Sequence, residues 1–162
     1  MKSQKGFTLI ELLIVIVVLG ILAVAILSAI NPIEQVNKAT DSGKQSDCTE
    51  LINAFERYYA SNQTWAWTVA EETAPEAYTK ASDLPASLAL LVSSGEVKAE
   101  FVARSTLDDI YIILVGSAAS SQYLRACFQP LSNTFQQNAT YYSATEDIGL
   151  TETGAFCLPA PS

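Results

Sequence analysis

The sequence predicts an α+β protein in which one long N-terminal helix packs on a small antiparallel sheet of three or four strands. Three observations support this class. Leu12–Ile33 is a run of 22 residues without a charge. Apolar residues recur at helical spacing between Cys48 and Tyr59. Short β-prone segments separated by turns follow in the C-terminal half, which favours antiparallel pairing. We therefore expect a helix with a membrane-spanning half and an amphipathic half, followed by the sheet.

The uncharged run is long enough to span a membrane. As a helix that rises about 1.5 Å per residue it measures roughly 33 Å, the thickness of a bilayer's hydrocarbon core. Lys2 and Lys5 precede the run, and Glu11 lies at its start. Because basic residues stay on the cytoplasmic side, the residues after Ile33 are expected outside the cytoplasm.

Two ordinary interpretations of this segment compete. For a secretory signal peptide, Ala23–Ala25 (AVA) supplies a nominal cleavage site. However, the apolar stretch of signal peptides is only about 7–15 residues long, and the run in this chain is longer. A plain signal anchor explains the length and the lysines. It leaves Glu11 unexplained, because a carboxylate in a membrane segment is costly and usually marks a functional site.

A third interpretation comes from resemblance. Lys5–Leu13 (KGFTLIELL), followed by an apolar helix through Ile30, closely resembles the N-terminal signature of type IV pilins and pseudopilins. The resemblance implies that a prepilin peptidase cleaves between Gly6 and Phe7 and methylates the new amino group of Phe7. It also implies that Glu11 neutralises the amine of a neighbouring subunit during assembly.

Pro32 departs from the pattern of that family. Many pilins carry a proline at the position that Ser28 occupies here, and the proline of this chain comes four residues later. Because proline removes a helical hydrogen bond and clashes with the preceding turn, the helix is expected to kink or loosen near Ser28–Asn31.

The resemblance implies three regions: a leader peptide at 1–6, a hydrophobic transmembrane and assembly helix at 7–33, and an extracytoplasmic α+β head at 34–162. It implies a structural subunit of a type IV pilus-like filament at the bacterial inner membrane and then outside the cell. The expected partners are other copies of the chain, the prepilin peptidase, the inner-membrane assembly machinery and, before assembly, the lipid bilayer. A pseudopilin of a type II-like secretion system is the first alternative. A membrane-anchored extracytoplasmic binding domain is an alternative of another class.

The region after the membrane segment begins with a polar stretch, Asn37–Asp47, which fits either a solvated helix or a frayed hinge. From Cys48 onwards an apolar face predicts a helix that packs on the core and ends at Ser61–Thr64. Cys48 is expected as a small buried thiol, with an intersubunit disulfide as the alternative. Trp65 and Trp67 are expected to anchor the following loop in the core.

The remaining elements of the head are predicted from shorter patterns. Asp83 is expected to cap a short helix that has Pro85 in its first turn. Strands are predicted at 97–103, 110–115 and 123–129, with a possible fourth within 140–144.

Cys127 and Cys157 enclose a polar stretch of 29 residues. Many pilins bracket a variable C-terminal loop with two cysteines, so the resemblance implies a Cys127–Cys157 disulfide. Such a bond is plausible for any exported protein, although pairing requires a geometry that the sequence does not show.

The composition argues against an enzyme. The chain has no histidine and carries 17 acidic against 9 basic residues. It lacks the usual nucleophile and phosphate-binding motifs, and no basic cluster beyond the N-terminus suggests a broad nucleic-acid surface. No cofactor is expected. Calcium is the one inorganic ligand worth considering, because it prefers hard oxygen ligands. The acidic residues that could supply them are Asp108, Asp109, Glu146, Asp147 and Glu152.

Overall fold

The computed structural model describes residues 6–29, 31–70, 72, 74–75, 78–116, 122–139 and 154–158. The chain divides into two compact units, Met1–Val36 and Asn37–Ser162. The helices are α1 (Leu9–Ala29), α2 (Pro32–Asn62), α3 (Ala66–Val69), α4 (Pro85–Ser93), α5 (Ala99–Val102) and α6 (Asn133–Asn138), and the strands are β1 (Thr79–Lys80), β2 (Ile110–Val115), β3 (Tyr123–Phe128) and β4 (Phe156–Leu158). The α+β class is therefore confirmed.

The helical part of the N-terminal region is interrupted before Pro32. Helix α1 ends at Ala29, and Asn31 lies outside helical structure. The Asn31 side chain accepts a hydrogen bond from the Glu34 N–H at 3.3 Å, and Pro32 takes the first position of α2. At that position proline's missing N–H has no helical partner to lose. The interruption expected near 28–31 is confirmed, with Pro32 starting a new helix.

The part of α2 in the second unit has one buried face, which runs from Asp41 to Tyr58. Its apolar portion is the predicted stripe, with Leu51 and Phe55 fully buried. The polar stretch Asn37–Asp47 is helical, which rules out a frayed hinge, but it is not simply solvated, because Asp41, Lys44 and Asp47 are buried. The helix ends at Asn62, close to the predicted stop, and Gln63 follows with a positive φ of 55°.

Among the described residues the sheet has four strands in the order β1-β2-β3-β4, and every neighbouring pair is antiparallel. The central pair is fixed by a long register in which Ile112 lies opposite Ala126. Ile112, Leu124 and Phe128 belong to the same buried cluster as the apolar face of α2. This cluster is the core of the head and accounts for the β-prone composition of β2 and β3.

Two strand predictions need correction. Residues 97–103 do not form a strand, because Ala99–Val102 is a short helix. A strand would bury Val97, Ala99 and Phe101 on one face, but Ala99 is exposed while Val97 and Phe101 are buried, so the burial does not follow a strand's period of two. The possible strand at 140–144 lies outside the described residues. The fourth strand of the sheet is Phe156–Leu158.

The start of α4 is capped by Glu72, whereas Asp83 was predicted to cap it. Asp83 is exposed and ends a short 3₁₀ segment, and the N-cap position is held by Leu84, which makes no side-chain cap. The Glu72 carboxylate accepts hydrogen bonds from the N–H groups of Ala86 at 2.8 Å and Ser87 at 3.0 Å. A carboxylate fits this place because the first N–H groups of a helix have no intrahelical partner.

The tryptophans anchor the segment after α2, as predicted. Trp65 and Trp67 are buried and stack with ring centroids 4.7 Å apart. Trp67 also contacts Phe55 of α2, and Trp65 stacks on Tyr59 at 4.5 Å. These four rings join the end of α2 to the core of the head.

Candidate processing and assembly site

The predicted cleavage site lies in an exposed, non-helical segment. Gly6, Phe7 and Thr8 precede the first residue of α1 and are all exposed, and the Phe7 side chain is 91% accessible. A bond between Gly6 and Phe7 in such backbone is open to a peptidase. Glycine also lets another chain approach closely, since it has no Cβ.

Thr8 and Glu11 form a reciprocal cap at the start of α1. The Glu11 Oε2 atom accepts hydrogen bonds from the Thr8 N–H at 2.9 Å and from the Thr8 hydroxyl at 2.6 Å. In return, the Thr8 Oγ1 atom accepts a hydrogen bond from the Glu11 N–H at 3.3 Å. This is a capping box, in which two otherwise unsatisfied N–H groups at a helix start are each given a side-chain acceptor. It turns the Glu11 carboxylate back onto Thr8, the residue that follows Phe7.

Helix α1 presents apolar side chains on all sides. Its segment Leu9–Leu27 is long and apolar enough to cross a membrane, with a mean hydropathy of 3.2 and none of it buried within the chain. Only Glu11 is charged within α1. An exposed apolar surface of this extent calls for a lipid or protein environment, because water is a poor solvent for it.

A second group of polar side chains lies on the buried face of α2. Asp41 is fully buried, and its carboxylate accepts hydrogen bonds from the N–H groups of Leu131 and Ser132 and from the Ser132 hydroxyl. These donors begin α6, where Ser132 is the N-cap and accepts a hydrogen bond from the Phe135 N–H. Asp41 thereby holds the chain that leaves β3.

Lys44 and Asp47 continue this polar face towards the core. The Lys44 ammonium is 2.7 Å from the Asp109 carboxylate. Asp47 is bound by the Arg104 guanidinium and accepts a hydrogen bond from the Thr106 hydroxyl at 2.6 Å. These three contacts tie α2 to Arg104 and to the 3₁₀ segment Ser105–Asp109, which precedes β2.

The predicted disulfide between Cys127 and Cys157 is present. The two cysteines lie opposite each other in the register of β3 and β4. The bond thus holds the edge strand β4 to the sheet and closes the segment between the two strands.

Cys48 is a buried free thiol, as predicted. Burial, reinforced by the neighbouring Asp47 carboxylate, raises the pKa of the Cys48 thiol to about 12, against an ordinary value of 9.0. The thiol is therefore neutral at physiological pH, and its full burial disfavours the alternative of an intersubunit disulfide.

Of the five acidic residues considered for calcium, only Asp108 and Asp109 lie within the described residues. Asp109 is engaged with Lys44. Across the described ranges no three side chains of the types His, Cys, Asp or Glu come together as a candidate metal site. Glu146, Asp147 and Glu152 lie outside these ranges, so a calcium site stays a prediction.

The structure reveals two sets of residues that the sequence analysis did not single out. Thr8 is one, although its signal was available, because Thr-x-x-Glu ahead of an apolar run is the capping-box pattern. The buried charges Asp41, Lys44 and Asp47 are the other. Asp41 and Lys44 lie seven and four residues before Cys48, which is the spacing of one helix face. Extending the helical pattern from Cys48 towards the N-terminus would therefore have predicted that both are buried.

A comparison with protein families finds a match for the N-terminal segment. Residues 1–27 match the family model described as the prokaryotic N-terminal methylation motif. This motif is the signature of type IV pilins and pseudopilins, and the chain carries it at its N-terminus. No curated protein and no solved structure matches the chain. The motif covers the capped start of α1 and the helix as far as Leu27.

Proposed function

We propose that the chain is a structural subunit of a type IV pilus-like filament, matured by cleavage between Gly6 and Phe7 and methylation of Phe7. One combination of observations carries this proposal: the methylation motif occupies residues 1–27, and the helix within it is apolar and exposed throughout. Ordinary signal cleavage would remove such a helix, whereas cleavage after Gly6 keeps it on the mature chain.

Assembly follows from the physics of that helix. In the membrane pool α1 is surrounded by lipid, and in the filament it packs against the same helix of other subunits. Apolar side chains alone allow helices to slide past one another. A charge that needs a partner fixes their stagger, because an unpaired ion in an apolar environment costs several kcal/mol more than a paired one. Glu11 and the Phe7 amine of a second copy are the proposed pair.

The location and partners belong to the same proposal. The precursor lies in the bacterial inner membrane with its N-terminus in the cytoplasm, which the lysines before α1 support. The prepilin peptidase acts on it there, and the assembly machinery then draws it into the fibre. The head, with its disulfide, belongs on the outer side, where disulfides form and persist.

The mass of the mature N-terminus tests the proposal. The chain purified from membranes of its own host is expected to begin at Phe7 and to carry one methyl group on its amine. A chain that retains Met1 would instead support the membrane-anchored binding domain. An unmodified N-terminus within or after 23–25 would support signal-peptide cleavage.

A pseudopilin of a type II-like secretion system is the second candidate, because it shares every feature of the N-terminal segment. The disulfide between β3 and β4 favours a pilin, since many pilins have a disulfide that encloses the C-terminal segment in this way. Deleting the gene separates the two. Loss of long surface fibres identifies a pilin, whereas loss of protein secretion without loss of fibres identifies a pseudopilin.

A further inference from the structure

We infer that the heads of neighbouring subunits are joined by an apolar contact, in which the exposed Leu131 side chain of one copy enters a groove between α2 and β4 of the next copy. The inference rests on the proposed function, because it supplies a contact between heads in the same filament. It adds this contact to the ionic joint that Glu11 and the Phe7 amine are proposed to make between the apolar helices.

Leu131 is an exposed leucine on a firmly held backbone. Among the head residues that the structure describes, Leu131 and Val69 are the only large apolar side chains that are exposed, at 50% and 49%. The Leu131 N–H donates to both carboxylate oxygens of the buried Asp41 at 3.0 Å, and the Leu131 carbonyl accepts a hydrogen bond from the Asn37 amide at 3.4 Å. A side chain on such a backbone costs little further ordering when it binds, which suits an interface anchor.

The receiving site is an open groove of about 290 Å³ beside the C-terminal end of β4. Its apolar residues are the buried Ile52 and the half-buried Leu158, and the exposed Thr49, Asn53 and Glu56 supply its polar edge. An engineered apolar cavity of about 150 Å³ holds a benzene molecule, so this groove has room for a leucine side chain. Apolar residues edged by polar ones are the usual composition of a protein–protein contact.

The positions of the two sites along α2 favour a second copy of the chain as the occupant. Leu131 is bound at the level of Asn37 and Asp41, whereas the groove lies at Thr49–Glu56, roughly 20 Å further along the helix. Leu131 is therefore too far away to fill the groove of its own chain. A copy displaced along the fibre by about this distance brings its Leu131 level with the groove of its neighbour.

Such a contact also has the symmetry that a filament requires. Copies that point the same way along a fibre cannot make it reciprocally, because its two halves lie at different heights on each copy. Each pair therefore leaves one Leu131 and one groove unused. A contact of this kind between two different surface patches continues from copy to copy and gives an open helical filament.

Charges at the two sites are complementary. Glu56 lies at the edge of the groove, and the exposed Lys38 follows Asn37, whose amide binds the Leu131 carbonyl. Neither Glu56 nor Lys38 forms a salt bridge with another residue in the described part of the chain. Opposite charges at the rim of an interface help to orient two partners, and this pair would do so for the two heads.

Incorporation into fibres tests the role of Leu131. Each variant is co-expressed with the wild-type chain in cells that carry the assembly machinery, and its share in sheared fibres is divided by its share in the cleaved membrane pool. Mass spectrometry measures both shares, and the ratio removes any effect on processing or insertion. Leu131→Ala is expected to be depleted roughly three- to tenfold, the effect of no longer burying half a leucine side chain.

Two further variants control this measurement. Leu131→Met keeps an apolar side chain of similar size and is expected to incorporate like the wild type. Val69→Ala removes an equally exposed apolar side chain elsewhere on the head and should also incorporate normally. Normal incorporation of Leu131→Ala would overturn the inference, as would equal depletion of Val69→Ala.

A cysteine pair tests the groove itself. In a Cys48→Ala background, fibres of the Leu131→Cys/Asn53→Cys chain are oxidised and run on a non-reducing gel. We expect a ladder of disulfide-linked dimers, trimers and longer species, because each copy is joined to the next. Either new cysteine alone should give no ladder. Leu131→Cys combined with Ala89→Cys, at an exposed position of α4, is the matched control and should give none either.

The outcomes of the cysteine experiment separate this inference from the proposed function. Regular fibres of the Leu131→Cys/Asn53→Cys chain without a ladder would show that Leu131 does not occupy the groove. A ladder of equal strength with Ala89→Cys would show the same. Both results would leave the proposed function standing. Absence of fibres from the wild-type chain in its own host would instead contradict the proposed function, and the contact between heads would fail with it.

Discussion

The carboxylate of Asp41 lies 2.7 Å from the hydroxyl of Ser132, a residue 91 positions further along the chain. The same carboxylate accepts the N–H groups of Leu131 and Ser132. One buried acid on α2 therefore fixes the chain after β3 and the start of α6. Its charge is tolerated in the interior because it is surrounded by donors, which replace the water it has lost.

Asp41→Asn is expected to destabilise the head. The amide keeps one acceptor oxygen, but its NH₂ group faces backbone donors and leaves at least one of them unsatisfied. We expect the free energy of unfolding to fall by about 1–3 kcal/mol, the usual cost of such a group. Denaturant unfolding of the full mature chain in detergent, followed by the fluorescence of the buried Trp65 and Trp67, measures this change.

Glu56→Gln is the matched control for that experiment. Glu56 lies on the same helix, but its side chain is exposed. Exposed polar substitutions usually change stability by less than about 0.5 kcal/mol. Equal unfolding midpoints for Asp41→Asn and Glu56→Gln would contradict the anchoring role of Asp41.

Local patterns in the sequence account for the parts of the fold that have strong periodicity or composition. α1, the apolar half of α2, β2 and β3 are such parts, and each was predicted close to its observed bounds. β1 and β4 have only two and three residues, so they are too short for any period to appear. Their positions are set by pairing with distant strands and, in β4, by the Cys127–Cys157 bond.

Reduction of the Cys127–Cys157 disulfide is expected to lower the stability of the head. The chain-entropy relation gives about 3–4 kcal/mol for a loop of this length, which corresponds to a Tm decrease of about 10–20 °C. Thermal unfolding with and without reductant tests this. A Cys48→Ala background is the suitable host, because only the bridging pair then responds. The same Tm in both states would show that the bond does not constrain the unfolded chain.

The buried Cys48 thiol predicts a loss of stability at alkaline pH. Its pKa is 9.0 when unperturbed and about 12 in the folded chain, because burial and the Asp47 carboxylate disfavour the thiolate. Above pH 9 the unfolded chain releases this proton while the folded chain keeps it. Stability therefore falls as pH rises from 9 towards 12, by at most about 1.4 kcal/mol per pH unit from this group.

Comparing the wild type with Cys48→Ala isolates that contribution, because all other ionisable groups are common to the two proteins. As the pH rises above 9, the free energy of unfolding of the wild type is expected to fall relative to that of Cys48→Ala. Thiol labelling gives an independent check at pH 8, where the folded chain should react slowly and the unfolded chain fast. Rapid labelling of Cys48 in the folded protein would disprove its burial.

Cleavage by the peptidase is expected to depend on the size of the side chain at position 6. Replacing Gly6 with leucine places a bulky side chain beside the scissile bond, which a peptidase must approach closely. We expect the uncleaved precursor to accumulate in the membrane, seen as the full-length mass. Gly20→Leu is the control, because a Cβ at Gly20 has open space around it and lies far from the cut. Efficient cleavage of Gly6→Leu would count against the leader assignment.

How far the candidate site could be predicted depends on whether its signal is local. Gly6, Phe7 and Glu11 could be singled out as candidates because they fall within one short motif, and the capping partner Thr8 lies in the same motif. Asp41, Lys44 and Asp47 were not identified. These three residues bind partners that are distant in sequence, namely Ser132, Asp109, Arg104 and Thr106. Because no local pattern contains such contacts, a charged residue that is buried by them cannot be told from a solvated one by sequence.

Glu11→Val is expected to separate processing from assembly. Gly6 and Phe7 are unchanged, so the chain should still be cleaved and begin at Phe7. Removing the carboxylate leaves the Phe7 amine of the neighbouring subunit without a partner in an apolar fibre core, and such a charge is strongly unfavourable. Fibres should then be absent or irregular by electron microscopy while the processed subunit accumulates in the membrane. Glu34→Gln, an acid on α2 beyond α1, is the control and should assemble normally. Regular fibres from Glu11→Val would show that apolar packing alone sets the stagger, and the ionic joint would then have to be abandoned.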